Sequence, residues 1–177
     1  YDIVPDIMTL AKGIASSYIP FGAVAVSAEI NAPFESGETH FIHGFTNGGH
    51  PLGCAAGSEL IDIIRDENLL ENCRKQSEVL FSYREQLLTH PTVRDVRGWG
   101  LMMVLELIKD KESLDFFDSS LQAEKLYSAI TLKHGLVMYG SLYGPRRQAA
   151  FKRGLPSWIS PPLTISGEEM HDLVGLS

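Results

Sequence analysis

A single lysine, set on a glycine at the end of a short apolar run, constrains this chain more than any other feature. In Asp6-Ile7-Met8-Thr9-Leu10-Ala11-Lys12-Gly13 the apolar spacing predicts a buried strand, Ile7 to Leu10, that delivers Lys12 to its end. Gly13 then lets the chain turn sharply and leaves room beside the amine. Strand ends are where α/β folds put chemistry. An amine adds to an aldehyde only when unprotonated, a form that a low-dielectric site or a neighbouring cation favours. The usual aldehyde in such a site is pyridoxal phosphate. Read alone, the same pattern also fits a solvated surface lysine.

The surrounding sequence narrows the choice. Pro5-Asp6 precedes the lysine strand, Pro20-Phe21-Gly22-Ala23 opens a second short strand through Ser27, and His43-Gly44-Phe45-Thr46-Asn47-Gly48-Gly49-His50-Pro51 follows. In order and spacing these segments resemble the class III pyridoxal-phosphate aminotransferases, the ω-aminotransferase family, and the similarity extends along nearly the whole chain. The resemblance implies that Lys12 is the Schiff-base lysine of a transaminase passing an amino group from an amine or amino acid to a 2-oxo acid. It also implies that Thr46 binds the cofactor phosphate of a partner subunit, which requires a homodimer. The implied fold is fold type I, α/β: part of a large, mostly parallel α/β domain followed by a smaller C-terminal α+β domain. Residues 1–66 would be the end of the large domain with its inter-domain helix, and residues 67–177 the truncated small domain. The chain starts without methionine on a motif and stops inside a predicted helix, as an excised piece would. In the family the phosphate loop, the ring-stacking aromatic and the acid facing the pyridinium nitrogen come from segments not found in this sequence.

Composition excludes other partners. A formal net charge of −7 disfavours nucleic acid and anionic membranes, and the 44% hydrophobic content is enough for a core. No apolar run reaches the roughly 18 to 20 residues of a bilayer span. There is no secretory start, and the expected location is cytoplasmic. Cys54 and Cys73 have no metal-type spacing and are expected to be reduced, buried thiols.

Read from the residues alone, Thr46 offers a hydroxyl and Asn47 to Gly49 offer backbone N–H groups to an anion, or they form an ordinary turn capping the next helix. His40, His43, His50 and Cys54 invite a zinc reading, but their spacing matches no structural zinc pattern, and no metal is expected. Pro51 starts a helix through Ile64, and a second is predicted from Asn68 to Thr89, with Leu69, Cys73, Leu80, Phe81, Leu87 and Leu88 on one face and Pro91 beyond its end. Asn31 to Thr39 reads as loop. Val93 to Leu107 reads as a strand pair or bent strand around Gly98 and Gly100, with Trp99 in the core and Glu106 at an edge. Ser119 and Gln122 predict a capping box for a helix ending at Gly135, with Leu126, Tyr127 and Ile130 buried. Leu136 to Tyr139 and Ser157 to Ile165 are expected to complete an antiparallel sheet, and Ser166 with Glu169 to cap the last helix.

Between them, Tyr143 to Gly154 gathers four cations beside Pro161-Pro162. Arg146, Arg147 and Arg153 can clamp a substrate carboxylate in bidentate fashion, or stand as a solvated surface. Family members that bind an α-carboxylate in the ornithine-transaminase manner often carry arginine three residues before Pro-Pro. Trp158 stands there in this chain, which favours a differently recognised amine or amino acid. The rivals are an aminomutase or decarboxylase on the same fold, an inert fragment of such an enzyme, and a zinc-binding module.

Overall fold

The run predicted as a strand is one. β1 (Ile7–Leu10) pairs with β2 (Ala23–Val26), Ile7 opposite Val26 and Leu10 opposite Ala23. The pair is antiparallel, a correction to the local reading, although mostly parallel sheets accommodate an antiparallel strand. Nor is β1 buried: Ile7 is 58% exposed. Apolar residues on both faces of a two-stranded ribbon exceed what its own neighbours cover.

The computed structural model describes residues 2–117, 123–138 and 154–175. They fall into two units, Tyr1–Asn68 and Leu69–Ser177. In the first, β1 passes into a single 3₁₀ turn, Lys12–Ala15, and β2 into α1 (Ala28–Glu35). α1 corrects the loop reading of Asn31 to Thr39 as far as Glu35, while residues 36–39 are turn and bend as expected. Ser27 accepts the Ile30 N–H at 3.4 Å and starts the helix, and one short helix tolerates Pro33 despite its missing donor. α2 (Pro51–Asp66) begins with proline in its first turn, where a missing N–H costs nothing.

The second unit is α+β. Asn68, at φ +53°, separates α2 from α3 (Leu69–Ser82), which breaks at Tyr83 before α4 (Arg84–Leu88). The expected apolar face holds, with Leu69 and Leu80 buried and Cys73, Phe81, Leu87 and Leu88 packed beside them. β3 (Val93–Trp99) and β4 (Met102–Leu107) form a hairpin, and β5 (Leu155–Ile159) pairs antiparallel on the other side of β4. β4 is therefore central. Gly100, at φ +58°, occupies the first position of the two-residue turn, where a positive φ suits the twist of the strands. Val96, Met103, Leu105, Leu155, Ile165 and Met170 form the core with α3 and the last helix, α6 (Gly167–Gly175).

α6 carries the predicted capping box: Ser166 N–H donates to Glu169 Oε2 at 2.8 Å, and Glu169 N–H returns to Ser166 Oγ at 3.2 Å. The Ser166 N–H and the Ser166 hydroxyl, which both donate to Oε2 at 2.8 Å, hold the Glu169 carboxyl below its usual range. Three expectations fail. Trp99 is 75% exposed, at the hairpin tip rather than in the core. Leu126 and Ile130 of α5 (Ala123–Lys133) are exposed, while Thr131 is buried. Leu136 to Met138 forms no strand, and β5 ends before Pro161-Pro162, which cannot donate to a ladder. The Ser119–Gln122 box, the Tyr127 side chain and Tyr139 lie outside the described residues. Among the described residues no helix is long and apolar enough to cross a membrane.

Candidate active site

Lys12 sits at the end of β1 with its side chain exposed, and its own backbone makes the turn. Its φ is +59°, whereas Gly13 does not take a positive φ. A left-handed residue with a Cβ costs about 1–2 kcal/mol, so surrounding structure must hold it there. Gly13 still contributes room, since a Cβ added to it would meet nothing within 4 Å. The turn is closed by Ser16 N–H donating to the Gly13 carbonyl at 3.2 Å and Tyr18 N–H to the Ala15 carbonyl at 2.9 Å.

α2 packs against this turn through its smallest residues. Gly53 and Gly57, one helical turn apart, are buried, and so is Ala15 of the turn. A Cβ on Gly53 would lie 2.8 Å from Phe21 Cδ2, and one on Gly57 would lie 2.9 Å from Phe21 Cε1 and 3.5 Å from the Ile14 carbonyl oxygen.

The N-terminus of the same helix follows the Thr46 segment. Phe45 to Gly48 is a reverse turn closed by Gly48 N–H to the Phe45 carbonyl at 2.9 Å. Gly48 therefore does not offer its N–H to an anion, which corrects part of the expected nest. The Thr46 side chain is exposed, and Gly49 at φ +65° leads the chain into His50, whose carbonyl accepts the Cys54 N–H at 3.0 Å. Thr46 and Lys12 thus belong to one unit, tied through α2. His43 makes ring contacts with Phe41 and Phe45, at centroid separations of 5.7 and 6.5 Å. Among the described residues His40, His43, His50 and Cys54 do not gather into a metal site. Cys54 is exposed rather than buried, and Cys73 is half-buried; both are free thiols.

Arg146, Arg147 and Arg153 lie outside the described residues. Trp158 is in β5 opposite Val104 and 39% exposed, while its neighbour Ser157 faces the core.

The sequence reading missed the role of Glu106. It sits on the central strand, not an edge, and is buried. Its Oε1 accepts the Gly154 N–H at 2.9 Å and an Arg94 Nη1 contact at 3.3 Å, while Oε2 accepts from Arg97 Nη1 at 2.8 Å. Burial alone would raise its pKa, but the Gly154 N–H and the two guanidiniums together outweigh burial and hold it below the usual range. Arg97, hydrogen-bonded to Asp95 and to Glu106, is raised. Part of the signal was in the hairpin: a two-residue turn after Trp99 places Asp95 opposite Glu106 and Arg97 on the same face, while Arg94 joins them at an irregularity in the ladder between Val93 and Asp95.

Replacing Glu106 by alanine leaves the Gly154 N–H unpaired and is expected to cost about 1–3 kcal/mol. Glu106→Gln is expected to lose less, because its amide oxygen still accepts. A carboxyl with a lowered folded pKa stabilises fully above its unfolded value, near 4.5, and loses that contribution as pH falls through the folded value. Urea midpoints of wild type and Glu106→Gln should therefore differ most at pH 7 and converge in acid. A difference that grows in acid would refute this.

The Aminotransferase class-III family profile matches residues 1–174. A probable aminotransferase of Mycobacterium tuberculosis is 39% identical over 97% of this chain and 35% of its own length. The putrescine–pyruvate aminotransferase of Pseudomonas aeruginosa is 33% identical over 100% of this chain and 36% of its own. The crystal structure of a thermostable (S)-enantioselective ω-transaminase from Thermomicrobium roseum superposes with a TM-score of 0.82 at 35% identity, covering 99% of this chain and 37% of that one. The chain thus spans about a third of the length of the curated relatives it matches. The fold is that of fold-type-I transaminases, which depend on pyridoxal phosphate. With a strand-end lysine held in a strained turn, the Thr46 turn ahead of α2, and a match along nearly its whole length, this chain belongs to the class III aminotransferases.

Proposed function

We propose that the chain is the lysine-bearing portion of a pyridoxal-phosphate-dependent aminotransferase that moves an amino group from an amine or amino acid to a 2-oxo acid. The observation that carries this is Lys12, exposed at a strand end in a conformation that costs free energy and that no packing of its own side chain explains. The residues present fit the cofactor: an accessible amine for its aldehyde, and an exposed threonine hydroxyl, on the turn that precedes α2, for its phosphate. When bound, pyridoxal phosphate supplies an electron sink for charge developing on the donor carbon. Lys12 Nζ would hold the cofactor's aldehyde carbon and, once released, would serve as the base that accepts the donor-carbon proton and the acid that returns it.

Thr46 reaches the phosphate held by the second copy of a homodimer, as the family resemblance implies. Residues 1–66 serve as the end of the large domain, whose remaining strands would cover the open faces of β1 and β2, and residues 67–177 as the small domain. Arg146, Arg147 and Arg153 are the candidate carboxylate clamp. Trp158, an indole where an α-carboxylate arginine stands in ornithine-type relatives, favours a donor such as a diamine, with pyruvate as acceptor; putrescine–pyruvate activity in a relative supports that pair. Free thiols agree with a reducing, cytoplasmic setting.

The test is to add pyridoxal phosphate to the whole enzyme of which this chain is the lysine-bearing portion, reduce with borohydride and map the labelled peptide, then assay putrescine with pyruvate. The expected result is a pyridoxyl label on Lys12 and alanine formed from pyruvate. Label elsewhere, or none, would overturn the reading.

A further inference from the structure

We propose that Phe21 is a positioning residue for Lys12, its ring acting as the spacer that holds the lysine turn in register with α2. The inference rests on the reading of Lys12 as the cofactor lysine. Two edges of the ring face α2: Cδ2 lies 2.8 Å from where a Cβ of Gly53 would sit, and Cε1 lies 2.9 Å from the corresponding point on Gly57. The Ile14 carbonyl abuts that same Gly57 position at 3.5 Å. One glycine therefore receives both the ring and the backbone of the turn that starts at Lys12.

The backbone that carries the ring also leads into the strand that pairs with the lysine strand. Phe21 stands two residues before Ala23, and Ala23 pairs with Leu10, two residues before Lys12. A Cβ added to Gly22 would meet the Leu10 carbonyl oxygen at 3.4 Å, so this approach is close as well. The lysine turn is thus held from its strand through Leu10 and from the helix through Ile14. Phe21 meets the helix at the same glycine as Ile14, and its neighbour Gly22 makes the approach to Leu10.

Lys12 needs such a hold. Its positive φ is not its preferred conformation, its side chain is exposed, and in this unit the buried residues are Ala15, Gly53 and Gly57, all at this contact. A small displacement of the turn moves Nζ relative to the reacting carbon, and misplacement by about 1 Å can cost about 10²-fold in rate.

The experiment measures, in the cofactor-loaded whole enzyme, the pH midpoint of the bound cofactor's absorption change together with kcat and KM. The variants are Phe21→Ala, Phe21→Leu, Gly57→Ala and the double variant Phe21→Leu/Gly57→Ala, the last three closing a double-mutant cycle with wild type. Glu59→Ala, exposed and on the side of α2 away from Gly53 and Gly57, is the control. Phe21→Ala and Gly57→Ala are each expected to shift the midpoint and to lower kcat by about 10- to 100-fold, with KM changed far less. The smaller leucine gives the new methyl room, so the double variant should recover part of what Gly57→Ala loses, a non-additivity expected only of residues in contact. A wild-type midpoint and kcat in folded Gly57→Ala, or strictly additive effects in the double variant, would overturn the positioning role while leaving Lys12 as the cofactor residue. If wild type itself takes no label on Lys12, the underlying reading falls and this inference with it. Should Phe21→Ala not fold, the Gly57→Ala pair decides the matter alone.

Discussion

Replacing Lys12 by arginine is expected to remove turnover and leave the fold in place. Arginine keeps the positive charge and the long aliphatic stem, so any role as a surface cation would survive. Its guanidinium does not give up a proton in proteins, so it can neither bond an aldehyde nor accept a proton from a donor carbon. A general base alone contributes about 10²–10⁴-fold, so turnover should fall by at least that factor, with borohydride label lost from this position. Lys12→Gly separates the chemistry from the backbone. The left-handed conformation costs lysine about 1–2 kcal/mol and glycine almost nothing, while glycine's freer unfolded chain takes back about 0.4–1 kcal/mol. That variant is expected to be equally inactive yet as stable as wild type or slightly more so. Retention of more than a tenth of wild-type turnover in Lys12→Arg would sink the assignment.

What the sequence disclosed was mostly local. A glycine pair around Trp99 announced the hairpin, and Ser166 with Glu169 announced a capping box, because both depend on residues within a few positions of one another. The strand end and the turn at Lys12 were legible for the same reason, although the positive φ lies at Lys12 itself rather than at Gly13. The misreadings concern partners far apart in sequence. Glu106 and Gly154 are separated by 48 positions and meet only because β4 is central. Asn72 likewise holds the turn after Pro161-Pro162, donating to the Leu163 and Ile165 carbonyls at 2.7 and 2.9 Å, and nothing near position 72 signals it. Burial of β1 was inferred from its apolar residues, but an apolar strand is buried only where another layer lies against it. The contact of Gly53 and Gly57 with Phe21 is of the same kind: small residues on a helix announce close packing without naming what approaches.

Gly98→Ala is expected to be the most damaging single methyl in the second unit. Gly98 has φ +156°, a region side-chain-bearing residues rarely adopt, and it pairs with Met103 of the central strand, one pair from the hairpin turn. A Cβ there would lie 1.9 Å from the Met102 carbonyl oxygen, 2.9 Å from its carbonyl carbon and 2.9 Å from Met103 Cα. All three are backbone atoms, so no rotamer change relieves the overlap; the hairpin must open or shift register, and a one-residue shift would turn Val96 and Leu105 away from the core. The expected cost is about 3–5 kcal/mol, a large part of the stability of an ordinary domain. Gly100→Ala makes the comparison sharp. There φ is +58° and the nearest atom is the Cys73 Sγ at 3.3 Å, so the cost is chiefly the left-handed backbone, about 1–2 kcal/mol. Both tryptophans, Trp99 and Trp158, belong to this unit, so fluorescence during urea unfolding reports on it alone. The midpoint should fall further for Gly98→Ala than for Gly100→Ala. The reverse order would mean that the hairpin is not paired as Trp99 with Met102 and Gly98 with Met103, and the burial of Glu106 deduced from that register would fall with it.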